Sequence, residues 1–151
     1  MVIVSACLVG IKCRYNGKCT NIEYLQNLIT TGEALPLCPE VLGGLPIPRP
    51  CCEIVNHANE KKVINTKNED ITSFFKEGAT KTLQIAQIVN AKIAVLQSRS
   101  PSCGYLKIYD GSFSGNFVKG NGFTSQMLLE NDIKIFTEQQ LNEFKEYYNK
   151  K

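Results

Sequence analysis

Four short, mostly apolar runs, the first of them rich in β-branched residues, limit what this chain can become: residues 2–6, 34–37, 91–96 and 133–136. Each is the length of a strand, and segments with helical spacing separate them. Asn21 is placed to cap a helix reaching Thr30, with Ile22, Leu25 and Leu28 on one face. Phe74, Phe75, Ala79, Leu83, Ala86 and Val89 follow helical spacing in a longer segment from Asp70 or Thr72 to about Asn90. A third helix is expected over 124–131. Thr137-Glu138-Gln139-Gln140 is a capping box that opens a last one. Strands that alternate with helices pair in parallel, because a crossover helix returns the chain to the same edge. The expectation is an α/β, Rossmann-like three-layer sandwich with a mostly parallel sheet, built as one domain over residues 1–151.

That arrangement gives three cysteines a shared address. Cys7 closes the first run and Cys38 the second, while Cys103 follows the third after Ser100-Pro101-Ser102. In a parallel sheet all three lie at the carboxyl edge, where open α/β sheets bind ligands. The chain holds seven cysteines, an odd number. Its start lacks the basic and long apolar regions of a signal peptide, so the cytoplasm and free thiols are expected. No two cysteines are spaced C-x-x-C, which argues against zinc ribbons and thioredoxin-type redox sites. Three separated thiolates suit a zinc ion or an iron–sulfur cluster, and spacing does not choose between them. Cubane clusters take four cysteines, so three would leave one iron open. Cys19 reads as a small hydrophobe at the start of a helix. Cys13, Cys51 and Cys52 stay open between packing and chemistry. His57 sits in a polar stretch read as a solvated loop, away from any ligand role.

Residues 38–50 hold four prolines and two glycines, which exclude a long regular element. Within this loop Glu40 lies two residues after Cys38. In extended backbone the two side chains share a side, so Glu40 is a candidate to move protons beside a metal. Ser98, Ser100 and Ser102 offer hydroxyls before Cys103, either to hold a substrate or to satisfy turn backbone. Arg14 and Arg49 stand in loops near the same edge, as anion ligands or structural ion-pair partners. A short edge strand is expected over 61–65, and turns with short strands over 107–119. Seventeen basic against fourteen acidic residues give a formal net charge of +3, too mild for a nucleic-acid signature. No apolar run is long enough to span a membrane.

The stretches Ser5-Ala6-Cys7-Leu8-Val9-Gly10, Cys13-Arg14-Tyr15-Asn16-Gly17, Cys38-Pro39-Glu40-Val41, Gly43-Gly44-Leu45-Pro46-Ile47-Pro48-Arg49, Asp70-Ile71-Thr72, Gly78-Ala79, Ser100-Pro101-Ser102-Cys103-Gly104 and Ile108-Tyr109-Asp110-Gly111 occur in this order. Together they resemble a small bacterial domain family of formerly unknown function that includes the thiouracil desulfurase TudS. The resemblance covers nearly the whole chain. It implies a [4Fe-4S] cluster held by Cys7, Cys38 and Cys103, with the fourth iron free to bind the sulfur of a thiolated base. Water would then replace that sulfur without net electron transfer. By the same resemblance Glu40 transfers protons and Ser100 is the substrate-contacting or catalytic hydroxyl, with Ser102 as runner-up for that role; Arg14 and Arg49 are expected to contact substrate from their loop positions. Asn16 and Gln97 depart from the pattern, standing where aspartate and lysine are common, and Cys51 and Cys52 stand where proline or a small residue is usual.

The implied function is desulfuration of thiouracil or a related thiolated nucleobase. The partner is a small molecule, with neither membrane nor direct nucleic-acid binding expected, and a monomer is compatible with the chain. The alternative is a non-catalytic iron–sulfur or zinc protein acting as a sulfur carrier or sensor. A metal-free cysteine nucleophile lacks a base, since His57 is poorly placed.

Overall fold

A computed structural model describes residues 1–150. Its centre is a four-stranded sheet of β1 (Val2–Ser5), β2 (Ala34–Leu37), β5 (Ile93–Leu96) and β8 (Lys134–Thr137), in the order β2-β1-β5-β8. Every pairing is parallel, with Val2 opposite Ala34 and Ile93, and Ile93 opposite Lys134. Alternating side chains sort onto two faces, as a pleated strand requires. Val2, Val4, Val95 and Phe136 pack with Leu25 and Leu28 of α1 (Glu23–Thr30) and Phe144 of α5 (Leu141–Asn149). Ile3, Ala94, Leu96 and Ile135 pack on the other face with Ala86 of α3 (Thr72–Ile88) and Leu128 of α4 (Phe123–Glu130). The three-layer α/β sandwich is therefore the observed architecture. Among the described residues no helix is long and apolar enough to cross a membrane.

Two antiparallel ribbons lie outside this sheet: β3 (Cys52–His57) with β4 (Glu60–Asn65), and β6 (Lys107–Tyr109) with β7 (Phe117–Lys119). The first strand of the first ribbon goes beyond the sequence expectation. Ala58 and Asn59, at φ 50° and 66°, turn the chain in two left-handed residues that suit a tight hairpin. His57 is exposed at the end of β3 rather than in a loop. Asn21 does not cap α1. It pairs in a bridge with Val9, and Ile22 takes the cap position. Cys19 accordingly lies two residues before that bridge in irregular backbone, half-buried and outside any helix. The capping box at Thr137 forms, but it closes a single 3-10 turn ahead of α5.

Within the proline-rich loop the chain makes one short helix, α2 (Pro39–Leu42), whose first position is Pro39. Proline is suited there because its missing N–H would be unpaired anyway. The helix lies backbone-to-backbone against α3. A Cβ on Gly78 would overlap the Pro39 carbonyl, and one on Gly43 would overlap the Phe74 carbonyl. Gly78→Ala is expected to destabilise the protein by about 1–3 kcal/mol through overpacking. Chemical denaturation checks it. The same displacement would shift Cys38 and Glu40, which flank Pro39.

Candidate functional site

Where the four parallel strands end, the chain encloses a cavity of about 270 Å³. Six of the seven cysteines line it: Cys7, Cys13, Cys38, Cys51, Cys52 and Cys103. Cys7 lies in a 3-10 turn (Ala6–Leu8) that follows β1 directly. Cys38 takes the cap position of α2. Cys103 is delivered by the turn after β5 and is buried. Ser5 Oγ accepts the Gln97 N–H at 2.9 Å, tying the ends of β1 and β5 together. Glu138 accepts from the Ser98 N–H at 2.8 Å and from its hydroxyl at 2.5 Å, tying β8 to the same edge.

The thiols perturb one another. Cys13 is almost fully buried, and its backbone carbonyl accepts from the Cys38 thiol at 3.8 Å. Its contact with Cys38, then with Cys7, keeps the Cys13 proton on well above the ordinary thiol range. The same contact brings Cys38 down to about 7 and lowers Cys7, in each case against the cost of burial. Burial pushes Cys103 and Cys52 up. Metal coordination reverses such a penalty, because it deprotonates a bound thiol outright.

Glu40 lies in the first turn of α2, so helical rather than extended backbone turns it to the cavity beside Cys38. Its Oε2 accepts from Arg49 Nε at 3.0 Å and forms an ion pair with Arg49 Nη2. Arg49 also donates to the carbonyls of Pro46 and Cys13, each at 3.1 Å. This arginine is spent on holding Glu40 and the Cys13 backbone. Its side chain is 4% exposed and that of Glu40 is 14%. Arg49→Met is expected to cost roughly 3–5 kcal/mol by leaving a carboxylate unpaired. Adding Glu40→Gln should recover part of that loss in denaturation experiments, because the stranded charge is then gone.

Ser100 and Ser102 separate clearly. Ser102 is buried behind the cavity wall, 3.0 Å from the Thr124 hydroxyl, and does not line the cavity. Ser100 does line it, and its Oγ accepts from the Ser102 and Cys103 N–H groups at 3.1 and 2.7 Å. Both lone pairs are thereby engaged and the hydroxyl proton is left to donate. Arg14 also lines the cavity, and its Nη2 donates to Thr20 Oγ1 at 2.8 Å and Gln97 Oε1 at 2.7 Å. Arg14 interacts with Cys7 as well, yet its Nε is buried with no acceptor among the described residues. Tyr15, Asn16, Gln97 and Tyr109 are also part of the wall. Tyr109 was invisible as a site residue in the sequence, because only the return of β6 brings it to the edge.

The donor set fits an iron–sulfur cluster. Six thiols stand in the lining, and the Arg14 Nε, buried without an acceptor among the described residues, is a donor suited to an anionic sulfur centre. Among the described residues no three His, Cys, Asp or Glu side chains form a group that would hold a single metal ion. The thiols are spread around a space larger than one ion.

Fold and site define an α/β sandwich protein with a thiol-rich centre at the carboxyl edge of its sheet. A family model described as 2-thiouracil desulfurase matches residues 2–140, and the chain belongs to that enzyme family. The chain is also 39% identical over 149 residues to the uncharacterized protein YbbK of Bacillus subtilis (strain 168), covering 95% of this chain and 99% of that one. The solved structure of the [4Fe-4S]-dependent thiouracil desulfidase TudS superimposes with a TM-score of 0.90 at 38% identity, covering 98% of this chain and 97% of that chain.

Proposed function

We propose that this protein removes sulfur from 2-thiouracil or a related thiolated nucleobase, using a [4Fe-4S] cluster held by Cys7, Cys38 and Cys103. The observation that carries this reading is the placement of those three cysteines around one cavity with Glu40 beside them. When bound, the cluster supplies a thiophilic Lewis-acidic iron for the substrate sulfur. The overall change is thiouracil plus water to uracil plus hydrogen sulfide, with no oxidation or reduction.

The chain's own groups supply the rest. Glu40 accepts a proton from the water that attacks the ring carbon bearing sulfur, and Arg49 holds that carboxylate in place. Ser100, with only its proton free, donates a hydrogen bond to the substrate ring. Arg14 compensates the charge of the Cys7 thiolate and borders the substrate space. The cavity volume suits a single small molecule, and reduced thiols of this kind suit a cytoplasmic location. A carrier or sensor would leave the proton-transfer group without a task.

The test is incubation of anaerobically reconstituted protein with 2-thiouracil in ¹⁸O-labelled water, without any electron donor or acceptor. Labelled uracil and one equivalent of sulfide per turnover are expected. Unchanged 2-thiouracil beside an intact cluster would overturn the reading.

A further inference from the structure

Gln97 follows β5 directly and lines the cavity, and its side chain is engaged at both ends. Oε1 accepts from Arg14 Nη2 at 2.7 Å and from the Cys7 thiol at 3.7 Å. Nε2 donates to the Ser98 carbonyl at 3.4 Å and to Glu138 Oε1 at 3.5 Å. These contacts fix which end of the carboxamide faces Arg14, because a reversed amide would set its NH2 against the guanidinium. The Gln97 backbone is pinned as well, its N–H donating to Ser5 Oγ at 2.9 Å. Arg14 has a second acceptor in Thr20 Oγ1 at 2.8 Å, but Thr20 is exposed. Gln97 is therefore the acceptor that holds the guanidinium on the cavity side. Lysine, common at this position in the family pattern, has only donors, so this contact belongs to this chain. Arg14 Nε, meanwhile, is buried with no acceptor among the described residues. A buried N–H without a partner is costly, which favours an acceptor that enters the cavity.

We propose that Gln97 is a positioning residue: it holds the Arg14 guanidinium so that Nε donates to the substrate sulfur as negative charge grows there. This rests on the desulfuration reading above. Charge on the sulfur rises as its bond to the ring carbon breaks. A donor already in place stabilises that state more than it stabilises the bound substrate. Gln97 acts through Arg14, and Glu138 completes the chain of contacts. It fixes the amide while also accepting from the Ser98 N–H at 2.8 Å.

Turnover of 2-thiouracil by anaerobically reconstituted Gln97→Met, Arg14→Met and the double variant tests this. Methionine keeps the length of glutamine and removes the acceptor. Gln97→Met should lower kcat roughly 10–100-fold with KM nearly unchanged, the cost of a misplaced group. Arg14→Met should lower kcat at least as far, and adding Gln97→Met to it should change little, because the two act as a unit. Gln97→Glu keeps an acceptor toward Arg14 and should stay within several-fold of wild-type kcat. Losses that multiply in the double variant would overturn the proposal, as would equal losses in Gln97→Met and Gln97→Glu. A raised KM with unchanged kcat would make Gln97 a direct substrate contact and would also overturn it. Chemical denaturation of the cluster-free proteins gives a readout apart from turnover. The effects of Gln97→Met and Arg14→Met on stability should be non-additive there, and additive losses would show that Gln97 does not hold Arg14. If wild-type protein holds its cluster yet leaves 2-thiouracil unchanged, the desulfuration reading fails and this proposal with it, even where denaturation still couples the two residues.

Discussion

Glu40→Gln is expected to retain the cluster and lose desulfuration by roughly 10²–10⁴-fold, the range spanned by a positioned proton-transfer group. Glutamine keeps the size and one oxygen toward Arg49, so the ion pair becomes a neutral-to-charged hydrogen bond rather than a gap. It removes only the capacity to accept a proton from water. The measurement is a kcat for uracil formation, set beside iron and sulfide contents that match wild type. A variant with full activity would remove Glu40 from proton transfer and leave it as the anchor of Arg49.

The second large effect is on the cluster itself. Cys38→Ser or Cys103→Ser should lower bound iron and acid-labile sulfide severalfold and abolish turnover. Serine is a near-isostere but a poor ligand for soft iron. Cys103 separates ligation from packing well. It is buried, and burial alone disfavours its thiolate, so a structural cysteine there would remain protonated and inert. Loss of cluster in a Cys103→Ser protein that keeps its denaturation midpoint would mark it as a ligand. Assembly should also weaken as pH falls, because protons compete with iron for the thiolates. Cys38 is already lowered to about 7 by its contact with Cys13, so it yields last, while Cys103 is raised and yields first.

The layers of the fold were legible because periodicity reports burial. Residues 2–4 and 93–96 are apolar without alternation, as strands covered on both faces must be. The placement of Cys7 and Cys38 followed from that sheet direction alone. Other parts depended on distant contacts. β3 carries Glu53 and Asn56 among its apolar residues, and its pairing is fixed by a left-handed Ala58-Asn59 turn, which favours glycine or asparagine rather than alanine. The fate of Ser102 was set by Thr124, twenty-two residues away, and no local pattern distinguishes it from Ser100. Arg49 could be read as an anion ligand or as an ion-pair partner, and only the folded loop turns it onto Glu40. Cys13 was equally obscure, since its proximity to Cys7 and Cys38 arises from the path of residues 10–17 back across the strand ends.

Iron and acid-labile sulfide analysis of anaerobically purified protein tests the central claim most directly. The expected result is a brown protein with about four iron and four sulfide per chain, reduced to a small fraction by Cys38→Ser. A colourless protein that holds stoichiometric zinc and no labile sulfide, and resists reconstitution with iron and sulfide, would contradict it.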